Sequence, residues 1–294
     1  MSVIAKRTGN YLSLITFSHT IFAMPFAIIG FVLGMASRGS FPGWLLFVKV
    51  LACMVFARSA AMAFNRYLDR NFDKLNPRTS GREIPAGIIS ARSALVFVVI
   101  SAALFMLTTW FINPLCFYLS PVALLVVLGY SYTKRFTWLC HFVLGTGLAL
   151  APVGAYLAIT AQFDLLPVYF SMVVLTWVSG FDLIYALQDE DFDRKLKLKS
   201  LPVKLGKAGA LHVSSGLHVL TSIFIVVAGF AGGFGLLYWA GAGIFSALLI
   251  YQHSIVKPGD LSRVNRAFGT TNGIASIVFC LFFLLDFFTG NFFR

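Results

Sequence analysis

The chain has 294 residues, of which 59% are hydrophobic and only 12% are charged. Soluble domains carry about 25% charged residues, so this composition excludes an ordinary water-soluble protein and predicts one whose surface faces lipid. The net charge of +12 would suggest nucleic-acid binding in a soluble protein, but in a membrane protein it indicates basic cytoplasmic loops.

Nine apolar segments are long enough to cross a bilayer, because a transmembrane helix needs roughly 20 apolar residues. Asn113-Pro114 separates the third from the fourth, and the run AGGFG separates the seventh from the eighth. The predicted fold is therefore all-α and polytopic. The nine predicted spans cover residues 11–37, 42–64, 93–112, 114–133, 137–161, 164–187, 208–230, 233–253 and 268–289.

The basic residues lie almost entirely on one side of these spans. Of the 23 Lys and Arg residues, 19 are at the N-terminus or in the loops after spans 2, 4, 6 and 8. Basic loops resist translocation, so the alternation predicts a cytoplasmic N-terminus and an external C-terminus. We expect a multi-pass protein of the inner (cytoplasmic) membrane.

Eight of the 11 acidic residues lie in two segments, at the cytoplasmic ends of spans 2 and 6. Carboxylates at a membrane boundary are costly without partners, so this concentration indicates a functional site. In the first segment, AFNRYLDRNFDKLNPRTSGR, the acids and one amide recur every fourth residue and share one helix face: Asn65, Asp69 and Asp73. In the second, GFDLIYALQDEDFDRKLKLKS, helical spacing predicts one face for Asp182, Tyr185, Asp189 and Asp193.

Such faces suit a divalent cation, because like charges four residues apart on a helix repel each other. Mg²⁺ prefers oxygen ligands and typically binds one or two carboxylates together with substrate phosphates. Basic residues follow both acidic segments and suit a diphosphate, among them Lys74, Arg78 and Lys199. For any single Lys the alternative is ordinary positive-inside charge, whereas the position of Arg78 directly after the acids favours function.

Together these features indicate a lipid-linked diphosphate as substrate. Mg²⁺ and basic side chains would stabilise the departing pyrophosphate of an allylic diphosphate. Aromatic walls would stabilise the carbocation, and a dry cavity would protect it from water until a nucleophile captures it.

Several polar residues lie inside the spans. Arg58 precedes Asn65 by seven residues on the same helix face, which predicts a place in the cavity near the diphosphate. His19 in span 1 would meet the substrate or make an interhelical hydrogen bond. The other histidines show no spacing typical of metal ligands, and we predict structural roles for them: His141, His212, His218 and His253.

The two acidic segments also align with each other. A shift of 120 residues lays Asp69 on Asp189, and Asp73 on Asp193. Each segment follows the second of four spans. This predicts an internal duplication within a single domain of residues 1–294, with repeats at about 11–133 and 137–253 and an extra helix at 268–289.

The acidic segments resemble the paired aspartate motifs of the UbiA superfamily of intramembrane prenyltransferases. NRYLDRNFDKLNPRT resembles the first motif, NxxxDxxxD, and DLIYALQDEDFDRKLKLKSLP resembles the second, DxxYAxQDxxxD. GYSYTKRFTWLCHFVLG resembles the YxxTKR region after span 4. The expected nine-helix topology also matches, so the resemblance covers nearly the whole chain.

The resemblance implies a Mg²⁺-dependent enzyme of quinone biosynthesis that joins a polyprenyl group, from polyprenyl diphosphate, to an aromatic acid such as 4-hydroxybenzoate. Lys134 and Arg135 would lie over the site, near the diphosphate or an acidic acceptor. Asp191 would hold or deprotonate the acceptor, or else is a solvated loop acid. The resemblance implies Mg²⁺-diphosphate binding by Asn65, Asp69, Asp73, Asp189 and Asp193, with Asp182 at the start of the second motif and Tyr185 on the diphosphate.

The acceptor stays open between two aromatic acids. The start of span 1, ITFSHTIFAMPFAIIG, lacks the Arg of the 4-hydroxybenzoate enzymes. With ARSAAMAFNR and DLSRVN, it looks more like the UbiA-like branch associated with the futalosine route to menaquinone, which implies a naphthoate-type acid instead. A membrane transporter is the alternative of a different class, but it would need ionisable residues near mid-span.

Overall fold

The computed structural model describes residues 3–15 and 22–290, with side chains from residue 9 onward, so that His19 lies outside the described residues. Within this part of the chain, seven helices are long and apolar enough to cross a membrane, which confirms an all-α, multi-pass membrane fold. The helices are α1 (Val3–Leu14), α2 (Met24–Arg38), α3 (Trp44–Leu75), α4 (Ala91–Trp110), α5 (Pro114–Thr133), α6 (Cys140–Thr160), α7 (Leu165–Ala186), α8 (Glu190–Lys195), α9 (Leu201–Gly232), α10 (Leu236–Ile255) and α11 (Asn272–Thr289).

The first predicted span, 11–37, is not one helix. The chain leaves α1 after Leu14, and α2 begins only at Met24. Pro25 lies in the first turn of α2, where its missing N–H removes no helical hydrogen bond. With 15 residues α2 is only about 22 Å long, shorter than a bilayer core, and most of it is buried inside the protein.

The helix α3 extends well beyond the predicted end of span 2 at residue 64. Its last 11 residues, up to Leu75, add about 16 Å of continuous helix. Asn65, Asp69 and Asp73 all lie on this extension, so the first acidic segment has the helical geometry that its spacing predicts.

The second acidic segment is interrupted, which corrects the prediction of a continuous helix. The helix α7 ends at Ala186, a 3₁₀ turn covers Leu187–Asp189, and α8 begins at Glu190. A 3₁₀ turn has three residues per turn instead of 3.6, so it changes the direction of Asp189 relative to Asp182.

The main hydrophobic core surrounds α7. Trp177, Phe26 and Phe245 are completely buried, and the ring centroid of Trp177 lies 5.5 Å from that of Phe26 and 5.4 Å from that of Phe245. In contrast, α3, α4 and α5 keep most of their surface outside the core. The helix α7 is thus largely enclosed by its neighbours, whereas the apolar parts of α3, α4 and α5 are mostly unburied.

The break between α9 and α10 depends on a buried carboxylate. Asp286 of α11 accepts hydrogen bonds from the backbone N–H groups of Gly235 at 2.7 Å and of Leu237 at 3.1 Å, and so caps α10. A Cβ atom at Gly235 would lie only 2.8 Å from Asp286 Oδ1. The run AGGFG thus ends one helix and leaves room for the cap of the next.

Candidate functional site

A polar cavity of about 280 Å³ lies between the acidic ends of α3 and α7, with α5 and α6 forming its other walls. It brings together 11 of the 14 residues that the sequence predicts for the site. These are Arg58, Asn65, Asp69, Asp73, Arg78, Lys134, Arg135, Asp182, Tyr185, Asp189 and Asp193.

The other three predicted residues do not line this cavity. Asp191 and Lys74 are exposed on the outside of α8 and α3. Lys199 instead makes two hydrogen bonds to the loop after α5. Its backbone N–H donates to the carbonyl oxygen of Lys134 at 2.7 Å, and its ammonium donates to the carbonyl oxygen of Phe136 at 3.1 Å. It supports the segment that carries Lys134.

Every carboxylate predicted to bind metal is paired with a basic side chain. Each distance given is from a guanidinium or ammonium nitrogen to a carboxylate oxygen. The two partners of each pair lie in different segments of the chain. The pairs are Arg82–Asp73 at 2.6 Å, Lys134–Asp193 at 2.7 Å, Arg135–Asp69 at 3.6 Å, and Arg78–Asp189.

Arg78 connects the two acidic segments directly. From the loop after α3 its guanidinium donates to both carboxylate oxygens of Asp189 and, at 2.7 Å, to the hydroxyl of Tyr185, whose ring it also covers. The amide of Asn76 donates to Asp189 Oδ1 at 3.0 Å. The other face of the Tyr185 ring system contacts Phe268, with ring centroids 4.2 Å apart.

Among the cavity-lining residues outside the predicted set, five have side chains that bear directly on the chemistry of the site. Asn76 and Arg82 stand in the same polar loop as Arg78, and this loop is the signal that would have found them. Phe268 lies in a π-helical turn before α11, where no local motif identifies it. The remaining two are Tyr130 and His141.

His141, for which the sequence predicts a structural role, pairs with a residue of the second acidic segment. Its side chain lines the polar cavity, and its Nδ1 lies 2.6 Å from Asp182 Oδ2. A histidine that pairs with a residue on another helix can stand at any distance from that residue in the sequence. The sequence therefore gave no signal for this pair.

The predicted magnesium ligands fit a metal ion once their present ion pairs with Arg and Lys side chains are broken. The described residues hold no group of three His, Cys, Asp or Glu side chains already close enough to bind a metal ion. However, Asp73 Oδ2 is buried and accepts no hydrogen bond from any described residue. The donor set consists of carboxylate and amide oxygens, which suits Mg²⁺, and a diphosphate would offer new oxygens to the released Arg and Lys side chains.

A second cavity, of about 360 Å³, continues from the first into the apolar part of the protein. It follows α6 from Leu144 to Ala158, a distance of about 21 Å. Arg58 is the one charged residue in its described lining, and Arg58 Nε is buried without a hydrogen-bond partner among the described residues. The two cavities share Arg58, Met62, Tyr130, Leu144 and Leu148.

Lys134 is expected to stabilise the fold as well as the site. Burial alone would lower the pKa of Lys134, but the Asp193 carboxylate outweighs this effect and raises the pKa above its usual value. Lys134→Met leaves Asp193, only 1% exposed, without this charge partner. We expect the free energy of unfolding in detergent to fall by about 3 kcal/mol, because an uncompensated buried charge is costly.

The double variant Lys134→Met/Asp193→Asn separates stability from activity. Because the buried charge is gone, we expect it to recover most of the lost thermal stability but not the catalytic activity of the site. Equal stability of the single and double variants would contradict this explanation.

Comparison with known proteins gives a consistent family. The model of the UbiA prenyltransferase family matches residues 23–285. The 4-hydroxybenzoate octaprenyltransferase of Aeromonas hydrophila is 30% identical over 250 residues, which cover 84% of this chain and 85% of the relative. The enzyme of the same name from Tolumonas auensis is 29% identical over 84% of this chain and 86% of its own length.

Solved structures show the same fold. The apo structure of a UbiA homolog from Aeropyrum pernix K1 matches with a TM-score of 0.82 and 30% identity, over 91% of this chain and 98% of that one. A UbiA homolog from Archaeoglobus fulgidus, solved with DMAPP and Mg²⁺, matches with a TM-score of 0.70 and 22% identity, over 94% and 98% of the two chains.

Proposed function

The chain belongs to the UbiA prenyltransferase family, whose members transfer prenyl groups, and on this premise we propose that it joins a polyprenyl group to an aromatic acid resembling 4-hydroxybenzoate in quinone biosynthesis. The observation that carries the proposal is the junction of the two cavities at Arg58, Met62, Tyr130, Leu144 and Leu148. A charged head group fits the polar side of this junction and a long apolar chain fits the other. Polyprenyl diphosphate has this combination of parts.

The polar cavity supplies the charges that a diphosphate needs. Mg²⁺, when bound, would stabilise the negative charge of the leaving diphosphate, and its ligands would be Asn65, Asp69, Asp73, Asp189 and Asp193. The basic side chains that now pair with these acids would turn to the phosphate oxygens. These are Arg78, Arg82, Lys134 and Arg135.

The junction of the cavities suits the ionisation step. The carbon that leaves the diphosphate must lie where the polar cavity ends and the apolar cavity begins. The rings of Tyr130, Tyr185 and Phe268 line the polar cavity on this path, and aromatic faces attract a carbocation. Apolar walls beyond Leu144 exclude water and so reduce capture of the cation by hydrolysis.

Arg58 is the residue we propose for the acceptor. The sequence predicts a role for Arg58 near the diphosphate. In the structure Arg58 lies at the junction, and its Nε is buried without a hydrogen-bond partner among the described residues. A guanidinium binds a carboxylate with two parallel hydrogen bonds. Such a contact would hold an aromatic acid beside the reactive carbon, and it suits 4-hydroxybenzoate and a naphthoate-type acid equally.

We also propose the finer topology that the charges indicate. The two predicted spans outside the seven long apolar helices correspond to the short α2 and to α10, which would complete nine spans. The basic loops would then place the N-terminus and the polar cavity at the cytoplasmic side of the inner membrane. The internal duplication stays a prediction within this topology.

The direct test is a membrane assay with Mg²⁺, a radiolabelled polyprenyl diphosphate and a panel of aromatic acids, with the product identified by mass. We expect a prenylated aromatic acid whose formation requires Mg²⁺. If no acid in the panel is prenylated although the diphosphate is ionised, the proposed acceptor class is wrong.

Arg58→Met is expected to weaken binding of the acceptor. Loss of one charge-assisted contact is worth about 2 kcal/mol, so the KM for the aromatic acid should rise about 30-fold. The KM for the diphosphate should change little. Arg38→Met, at the exposed end of α2, is the matched control and should behave like the wild type. An unchanged KM for the acid would contradict the role of Arg58.

A further inference from the structure

His141 and Asp182 form a pair in the wall of the polar cavity, and the reaction described so far does not use this pair. His141 is 3% exposed, and its Nδ1 lies 2.6 Å from Asp182 Oδ2. A carboxylate can only accept, so Nδ1–H is the donor. The hydroxyl of Ser179 donates to the backbone carbonyl of His141 at 3.2 Å, which further joins α6 to α7 at this point.

The second ring nitrogen of His141, Nε2, takes no part in the contact with Asp182. His141 Nε2 is buried and has no hydrogen-bond partner among the described residues. Buried polar atoms are nearly always hydrogen-bonded, so an unpartnered one in a cavity wall indicates a ligand or a reacting group. In the neutral ring, with the proton on Nδ1, the Nε2 atom carries the lone pair.

The pair also lies near the place where the new bond would form. His141, Leu144 and Leu148 share one face of α6, at positions i, i+3 and i+7. Leu144 and Leu148 line both cavities, so His141 stands about one helical turn, or about 5 Å, to the polar side of their junction.

The other cavity carboxylates are less suited to receive a proton. Among the ion pairs of the described residues that line the cavity, four join a carboxylate to Arg or Lys, which favours the charged carboxylate. His141–Asp182 is the remaining pair. A carboxylate behind an imidazole fixes the tautomer and stabilises the imidazolium that forms when the ring accepts a proton.

We propose that His141 accepts the proton that the aromatic ring must lose, with Asp182 as its positioning residue; this inference rests on the proposed function. The C–O bond between the prenyl carbon and the diphosphate breaks, and its electron pair stays with the diphosphate oxygen. The ring carbon of the aromatic acid beside its hydroxyl then forms a bond to the prenyl carbon. The C–H bond at that ring carbon then breaks, its electron pair restores the aromatic ring, and the proton bonds to His141 Nε2. The imidazolium afterwards gives the proton to the departing diphosphate or to water.

The test measures kcat for His141→Gln with 4-hydroxybenzoate and with the same acid deuterated at both ring positions beside the hydroxyl. Glutamine keeps a polar group in the wall but accepts no proton at neutral pH. Removal of a general base typically lowers the rate by about 100-fold or more. In His141→Gln we expect kcat to fall by that factor and to show a primary isotope effect, because proton loss becomes rate-limiting. In the wild type this isotope effect should be absent or much smaller.

Two further variants keep the result interpretable. Asp182→Asn retains a hydrogen-bonding group beside Nδ1 but removes the charge, and we expect a lower kcat with the same isotope effect. If His141→Gln does not insert, Asp182→Asn carries the test. Ser179→Ala removes the nearby hydrogen bond between the same two helices, and we expect wild-type kinetics.

Three outcomes would overturn the inference in a protein whose wild type prenylates the acid. They are a wild-type kcat in His141→Gln, a reduced kcat without an isotope effect, and a Ser179→Ala variant as impaired as His141→Gln. If the wild type prenylates no aromatic acid, the proposed function fails instead.

Discussion

Alanine at either Asp69 or Asp189 is expected to abolish Mg²⁺-dependent prenyl transfer while the protein still inserts into the membrane. Each carboxylate comes from a different acidic segment, so each variant removes one side of the proposed diphosphate site. Groups that stabilise developing charge typically contribute about 100- to 1,000-fold each, and loss of a metal ligand adds to this. We expect at least about a 1,000-fold fall in transfer from radiolabelled polyprenyl diphosphate in membranes.

Asp260→Ala is the matched control, because Asp260 is an exposed acid outside the cavity whose carboxylate accepts hydrogen bonds from the nearby Ser262. It should retain wild-type activity. Chelation of Mg²⁺ should abolish wild-type transfer and restoring Mg²⁺ should recover it. Substantial Mg²⁺-dependent activity in Asp69→Ala or in Asp189→Ala would remove that residue from the site.

The two variants should differ in their effect on stability. Asp189 accepts from Arg78 and Asn76, so Asp189→Ala breaks the contact between the loop after α3 and the second acidic segment. Among the described residues, Asp69 accepts a hydrogen bond from its helix neighbour Asn65 at 3.1 Å and pairs with Arg135 at 3.6 Å. The geometry thus assigns a structural contribution to Asp189 that Asp69 does not share.

The sequence predicts those parts of the site that depend on local spacing. Asn65, Asp69 and Asp73 recur with a helical period, and α3 continues as a helix through all three. The rarity of charged residues in the apolar segments is informative as well. Charges are costly near lipid, so the few that occur there indicate functional positions. Arg58 was found on this basis, seven residues before Asn65.

What the sequence could not predict depends on contacts between distant elements. The 3₁₀ turn at Leu187–Asp189 separates α7 from α8 although the acids have helical spacing, and no local residue pattern indicates it. The pairing of each acid with a distant Arg or Lys is likewise a property of the folded chain. The contact between His141 and Asp182 is not predicted for the same reason, because the two residues are 41 positions apart and on different helices.

The apolar cavity adds a constraint on the length of the transferred chain. Gly154 lines it on α6, about 9 Å beyond Leu148 and the junction with the polar cavity. A Cβ atom built at Gly154 meets nothing within 4 Å. A side chain at this position therefore enters open space that the proposed substrate would occupy, without disturbing the helix.

Gly154→Phe is accordingly expected to shorten the chain that the enzyme accepts. A ring in the path of a long polyprenyl chain would cost about 3 kcal/mol in overpacking, or about 100-fold in kcat/KM. Geranyl diphosphate should be used almost as well as by the wild type, because its chain ends closer to the junction. Gly243→Phe is the matched control, since Gly243 is an exposed glycine of α10 with equal free space and no part in the cavity. An equal loss with both substrates would mean that the chain does not follow this cavity.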